Sequence, residues 1–463
     1  MLKEHKLADK NIPRLLFKLT LPAAIGMIVQ ALYNIVDTIF IGHAIGPEGI
    51  AGLSIVFPVQ LIVLGFGQML GMGGASIISR ALGANDLDKA NRTFGNQIFS
   101  VLLFAVLIMT PGLLFPRQIL SLFGATEAIM SYSLSYYRII VFSAGLFMFA
   151  MMTNNVLRAE GHAKLAMNNM LISAGLNIIL DAVFILWFKM GVQGAALATV
   201  LAQLIVVFYL IYHFTKGQSF FRINLADLKP KFAILKEMYG VGLAAFVRQV
   251  SGSFIVIIMN NKLGYFDATG LYIAVYGIIN RLLSIFFMPM FGIGQGLQPV
   301  LGFNYGAKRM DLARKAAGLA FTWAIGISVI AFIVIQIFPG LLMRLFTSDS
   351  QVIEQGIHAM RRIGMLFPII GVQIIGSIFF QAIGYKTESL ILSLSRQILF
   401  FIPTFYIMSY YFGVNGVWLT FPIADFLAFV VTSILVLNQL KKWTIEENGK
   451  KIHRTQITQD KTD

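Results

Sequence analysis

Gln30, Tyr33, Asn34 and Asp37 recur at i, i+3, i+4 and i+7, so on a helix they share one face. They lie inside an apolar stretch that runs from about Leu15 to Ile45. A carboxylate at the centre of a bilayer costs roughly 2.5–3.5 kcal/mol on insertion scales. Nothing structural demands an acid at that depth, so Asp37 reads as a functional group in need of a partner. A second acid, Asp181, follows Asn177 by four residues and shares its helical face. Thr199 ends the small-residue run Ala195-Ala196-Leu197-Ala198-Thr199, where helices can approach closely. Asp37, Asn177, Asp181 and Thr199 together offer carboxylate, amide and hydroxyl oxygens. Hard oxygen donors suit a hard cation or a proton rather than zinc or copper. Two acids close together in a low dielectric cannot both stay ionised alone; one takes a proton, or both share a cation. Such chemistry suits an ion-driven pump. Pro22, about four turns before Asp37, removes a backbone donor and can kink the helix that carries the acid, which makes it a candidate hinge.

Other polar residues in apolar segments read less sharply. Asp425 is open between packing and substrate contact, with Gln373, Gln381 and Arg396 as candidate neighbours. Asn154 precedes Arg158 by four residues and can satisfy it. Tyr136 begins a span, where tyrosine is usually an interfacial anchor. Arg248 and Arg281 read as snorkelling cations. His43, His162, His213 and His358 sit at span ends or alone, so no histidine cluster is expected to hold a metal. Enzyme signatures such as HExxH, GxSxG and Walker A are absent, and the chain is not read as an enzyme. It has no cysteine, so thiol chemistry and disulfides are excluded.

The elements that must position these residues are membrane spans. Charged residues make up only 12% of the chain, about half the share in soluble domains, while apolar runs of bilayer length recur end to end. The runs are continuous rather than alternating, which excludes a membrane β-barrel. About twelve spans are expected, near 15–43, 50–79, 93–114, 128–157, 163–188, 191–214, 235–262, 268–300, 314–338, 352–383, 388–411 and 414–440. Lysine and arginine cluster in alternate connections, which places both termini in the cytoplasm. That placement accounts for most of the net charge of +15 and leaves no case for nucleic-acid binding.

The two halves repeat. Gly71, Gly73, Gly83, Ala84 and Asp88 recur 223 positions later as Gly294, Gly296, Gly306, Ala307 and Asp311. Phe115-Pro116 recurs as Phe338-Pro339 at the same interval, and Gly191-Val-Gln-Gly194 as Gly413-Val-Asn-Gly416 at 222. The expected fold is therefore all-α and polytopic, two pseudo-symmetric six-helix lobes: residues 1–214, a cytoplasmic linker 215–234, residues 235–440, and a polar tail 441–463 expected to be disordered. The acids do not follow the repeat. The position matching Asp37 is near Ile255, and that matching Asp181 is Thr404, so the ion site is asymmetric.

The chain resembles the multidrug and toxic compound extrusion (MATE) transporters over roughly Arg14 to Leu440. The resemblance is carried by Pro22-Ala-Ala-Ile-Gly26 and by Tyr33-Asn34-Ile-Val-Asp37-Thr38-Ile-Phe-Ile-Gly42. It is also carried by Leu157-Arg158-Ala-Glu160-Gly161, Leu176-Asn177-Ile-Ile-Leu-Asp181 and Gly191-Val-Gln-Gly194-Ala-Ala-Leu-Ala-Thr199. It implies a V-shaped central cleft and antiport of drugs and toxic organic cations against Na+ or H+. It further implies a cation site at Asp37, Asn177, Asp181 and Thr199, with Gln30, Tyr33, Tyr136, Asn154 and Met170 on cavity positions beside Asn34. No cofactor beyond the coupling ion is expected; the protein is read as a monomer of the bacterial plasma membrane, in contact with lipid. Some members use acids in the seventh and tenth spans; here the seventh is read as free of them up to Asp267 and the tenth after Glu354. The alternative is a lipid-linked precursor flippase, for which a strongly basic cleft and often fourteen spans are expected.

Overall fold

The computed structural model describes the backbone of residues 6–45, 47–217, 219–221, 225–267 and 269–459. Within these it describes all side chains except those of 33–39, 41–45, 47–48, 50–51, 128, 225 and 446–459. Apolar side chains and internally paired backbone are what a bilayer tolerates, and helices satisfy both. The first half contains α1 (Ile12–Ile45), α2 (Pro47–Gly83), α3 (Leu87–Leu114), α4 (Pro116–Leu122), α5 (Glu127–Phe142), α6 (Ala144–Ala159), α7 (Ala163–Asp181) and α8 (Gly191–Lys216). The second contains α9 (Phe232–Phe266), α10 (Leu271–Gly306), α11 (Met310–Ile337), α12 (Pro339–Arg344), α13 (Ser350–Ile363), α14 (Phe367–Ile383), α15 (Lys386–Leu394) and α16 (Phe401–Gln459). Two π turns, Ala182–Trp187 and Ser395–Phe400, extend α7 and join α15 to α16.

Ten segments among the described residues are long and apolar enough to cross a membrane, and the pair α5–α6, bent by 51°, makes an eleventh. One of the ten, Lys386–Ile445, is 60 residues long. As a straight rod it would run roughly 90 Å, about three hydrocarbon thicknesses. It instead turns at Gly413, whose φ of 55° and ψ of −138° are not helical. Dividing it there gives twelve crossings, six in each half, as the hydropathy predicts.

The repeat is visible in the backbone. Left-handed residues recur in matched pairs: Asn85 (φ 62°) with Lys308 (φ 57°), Gly161 (φ 85°) with Gly384 (φ 85°), and Gly191 (φ 60°) with Gly413 (φ 55°). The short proline-led helices α4 and α12 begin 223 positions apart. The same turn chemistry thus ends the same spans in both lobes.

The lobes meet along a seam of glycines. A Cβ on Gly83 would overlap the Phe303 carbonyl, and one on Gly306 would overlap the Arg80 carbonyl. Phe303 is the repeat partner of Arg80, so these two contacts are one contact seen from both sides of a pseudo-twofold axis. Gly73 meets the carbonyl of Met238, Gly242 that of Met69, Gly292 the backbone of Ala24 and Gly296 Thr20. All lie in α1, α2, α9 and α10. Farther along, the approach loosens: Gly252 of α9 and Gly277 of α10 have no neighbour within 4 Å of a built Cβ. Small residues of this kind let helices pack where lipid offers no hydrophobic drive.

Two expectations change. The tail does not leave the fold at residue 441: α16 stays helical to Gln459, and Trp443 is 2% exposed, packed on Tyr305 and Phe379. The linker is pinned rather than loose, since the Lys231 N–H donates to Asn96 Oδ1 at 2.8 Å and the Asn96 amide donates to the Lys229 carbonyl.

The seam generates a paired test. Gly306→Val would drive a branched side chain into backbone, whereas Gly318→Val on the exposed face of α11 meets nothing within 4 Å. Thermal unfolding in detergent should show Gly318→Val close to the parent and Gly306→Val destabilised by at least the roughly 1–3 kcal/mol of overpacking. Equal behaviour of the two would contradict the seam.

Candidate cation site and cleft

The oxygen donors read from the sequence meet where α7 passes into its π turn. Asp181 is the last residue of α7 and is fully buried; Asn177, one turn earlier, and Thr199 of α8 are buried beside it. The Asn177 amide lies 3.2 Å from the Thr199 hydroxyl. Turned about its χ2 axis, the same amide places its nitrogen 3.2 Å from Asp181 Oδ2 and its oxygen 3.2 Å from Thr199 Oγ1; this is the better-satisfied arrangement. Thr199 also donates to the Ala195 carbonyl one turn back, which fixes its rotamer. Thr199 can approach because α8 opens with Gly191, Gly194, Ala195, Ala196 and Ala198, all small. The structure thus brings Asn177, Asp181 and Thr199 together. The side chains of Asp37, Tyr33 and Asn34 lie outside the described residues.

The helix that carries Asp37 packs against this site. α1 contacts α7, the π turn and α8. Gly26 of α1 is seated on Met170 of α7, whose sulfur would stand 2.8 Å from a Cβ there. Pro22 is buried within a continuous α1, between Thr20 and Ala24, which press on Gly296 and Gly292 of α10. Gln30 and Met170 are half-buried.

Contacts revise several other expectations. Tyr136 is not an interfacial anchor: it is 3% exposed in the first lobe's outer core, and its hydroxyl accepts from Gln60 Nε2 at 3.0 Å. Arg158 is satisfied by Asn155, three residues back at 3.0 Å, rather than by Asn154. Asn154 instead accepts from Asn169 of α7 at 3.2 Å. Arg248 does not snorkel; its guanidinium lies 5.8 Å from the Phe291 ring centre and 3.6 Å from Met72 Sδ across the seam. His162 and His213 are not isolated, since both converge on Glu160.

In the second lobe, Asp425 forms a buried ion pair with Arg396, Nε to Oδ1 at 2.6 Å. Gln373 donates to the Asp425 backbone carbonyl, and Phe287 lies 5.2 Å from the Arg396 guanidinium. The pair lines a cavity of about 130 Å³ with Tyr276, Asn280 and Phe367. A drug-sized ligand needs roughly 300–1,000 Å³. In this conformation the pair is a packing element, with its charge neutralised internally.

Sequence reasoning missed the inner end of the seam. Glu237, near the start of α9, is an acid in the seventh span that the reading up to Asp267 passed over. Its carboxylate takes Arg80 at 2.9 Å and Lys89 at 3.3 Å, both from the first lobe. Arg80 also sits against the left-handed Gly384. The signal available was the carboxylate at the mouth of a lysine- and arginine-rich side, where a partner across the seam is the economical reading.

A family model described as MatE matches residues 22–183 and 243–407, once in each half. The chain belongs to the MatE family. Multidrug export protein MepA of Staphylococcus aureus (strain MRSA252) is 26% identical over 428 residues, covering 92% of this chain and 94% of that protein. MepA of Staphylococcus haemolyticus (strain JCSC1435) is 25% identical over 439 residues, covering 95% and 96%. Among solved structures, the MATE multidrug transporter DinF-BH, determined in complex with a small-molecule ligand, is 42% identical with a TM-score of 0.87, covering 93% and 96%. The chain is thus a multi-pass membrane protein of a multidrug export family, and two lobes around a central cleft are its architecture.

The ion pair in the second lobe yields a prediction. Arg396→Leu leaves Asp425 buried without its partner, and breaking a buried pair costs about 3–5 kcal/mol. Arg396 is 26% exposed, so the low end applies. The double variant Arg396→Leu/Asp425→Leu should recover most of that loss, as read by thermal unfolding of the purified protein.

Proposed function

We propose that this MatE protein exports amphipathic, mainly cationic drugs in exchange for Na+ or H+, by alternating access of its two lobes. Asp181 carries the reading: a fully buried acid in a membrane span, set beside an amide of α7 and a hydroxyl of α8. Register supports Asp37 as the second acid. α1 and α7 run in the same direction through the membrane and touch at Gly26 and Met170. Eleven residues on from Gly26 is position 37, and eleven on from Met170 is Asp181. Helices of equal rise keep such positions level.

In the proposed cycle, Asp37 and Asp181 take a cation or proton from outside, with Asn177 and Thr199 completing its shell. α1 then rearranges near Pro22, and the drug leaves a cavity that includes Gln30, Tyr33, Asn34, Tyr136, Asn154 and Met170. The ion drives transport only because it binds one conformation better than the other. Both termini lie in the cytoplasm of a bacterial plasma membrane, the protein acts as a monomer, and it needs no cofactor beyond the ion. DinF-BH, solved with its small-molecule ligand bound, supports a small-molecule substrate here as well. The flippase alternative has no specific observation in its favour.

Asp37→Asn and Asp181→Asn should each reduce energised efflux of ethidium or norfloxacin by at least about tenfold, the scale of an allosteric coupling energy of 1–3 kcal/mol. Membrane insertion should be retained. Reconstituted vesicles under separately imposed sodium and pH gradients identify the ion. Parental efflux in Asp181→Asn vesicles would refute the coupling role.

A further inference from the structure

At the end of the first lobe that faces the linker, three elements deliver metal-type ligands to one point. Glu160 follows α6, His162 precedes α7, and His213 lies in the last turn of α8. The left-handed Gly161 turns the chain between the first two, which brings them side by side. Glu160 Oε2, a nitrogen of His162 and a nitrogen of His213 all lie within 4.8 Å of one another. Glu160 Oε2 is 3.5 Å from His162 Nδ1. For bonds of about 2.0–2.1 Å, neighbouring ligands of a tetrahedral ion stand roughly 3.4 Å apart. The carboxylate–imidazole spacing already fits, and a sub-ångström to ångström shift of His213 would complete the set.

The bonding of the three residues points the same way. Glu160 is fully buried, and its other oxygen, Oε1, accepts from the Ser219 hydroxyl and from the Phe220 N–H at 2.9 Å. Those bonds orient the carboxylate and leave Oε2 directed at the histidines. Oε2, His162 Nδ1 and His213 Nε2 are each buried without a hydrogen-bond partner. Three orphaned lone-pair atoms facing one another are costly as they stand, and a divalent ion would satisfy all three at once. Two imidazoles and a carboxylate are a ligand set for Zn2+ and its first-row neighbours, not for Na+ or Mg2+.

We propose that Glu160, His162 and His213 form a binding site for one divalent transition-metal ion, Zn2+ foremost, with a water as the fourth ligand. The site is separate from the Asp181 cation site and does not depend on the transport reading. Bound metal would tie the ends of α6, α7 and α8 to the first residues of the linker through the Glu160 carboxylate. It would thereby stiffen the point where the first lobe hands the chain to the second.

The test uses the full-length protein in detergent, free of any histidine tag and stripped with chelator. After incubation with Zn2+ and gel filtration, one ion per chain is expected by elemental analysis, and Co2+ should give the intense visible bands of a four-coordinate site. His213→Gln and His162→Gln should each weaken Zn2+ binding beyond the roughly 10–100-fold that loss of an outer-sphere partner costs. His358→Gln should bind like the parent. Parental binding should also weaken by about tenfold or more as the pH falls below the imidazole range, because protons compete for the nitrogens. Should His213→Gln fail to fold, His162→Gln and the parental pH titration decide the matter. No stoichiometric Zn2+ on the parent, or unchanged binding in both histidine variants, would overturn the site and leave a proton-sharing His–Glu pair.

Discussion

Backbone-to-backbone approach across the glycine seam is the constraint on which the rest of the molecule depends. Gly73, Gly83, Gly242, Gly292, Gly296 and Gly306 bring main chain of one lobe onto main chain or Cα of the other. In lipid, two apolar helix faces gain little by leaving hydrocarbon, so close packing and polar contacts must hold them. Here Gln298 donates to the Met72 carbonyl across the seam at 2.9 Å, and Ser76 reaches the Gln381 carbonyl. Because the seam occupies one half of the helices, the other halves are free to diverge. The cleft follows from where the glycines are.

The scaffold is symmetric and the chemistry is not. Asp425 is answered within its own lobe by Arg396. Asp181 stands beside the amide of Asn177 and, one residue farther, the hydroxyl of Thr199. An acid with a built-in counter-ion gains little from a transported one, whereas polar oxygens grouped around an acid can complete the shell of a small cation. On the proposed reading the two lobes divide the work: the second holds its charge static, and the first keeps one exchangeable. Arg80, Lys89 and Glu237 then close the inner mouth in the conformation described, joining the lobes by charge at a distance from the Asp181 cluster.

Much of this architecture was legible in the sequence. Span length follows from bilayer thickness, and the 223-residue interval survives in Gly71/Gly294 and Gly83/Gly306 because a side chain at those contacts would meet its neighbour. Asn177 and Asp181 were legible because a four-residue spacing dictates a shared face. What failed depended on helix rotation and on contacts distant in sequence. Asn154 and Asn155 flank the same turn, and either spacing can reach Arg158; only the packing of Asn154 on Asn169 decides. Glu237 needed a partner about 150 residues away, and no local pattern encodes that. His162 and His213 stand 51 positions apart, and the return of α8 to the start of α7 makes them neighbours.

The π turns carry a mechanical implication. One begins directly after Asp181, and the other contains Arg396, so each lobe's internal charge sits at a stretch wound wider than its surroundings. A wide turn holds surplus chain, and releasing it to ordinary winding swivels everything beyond by about 100° for each residue passed along. A helix built this way can re-aim the side chains past its charge while both of its ends stay anchored.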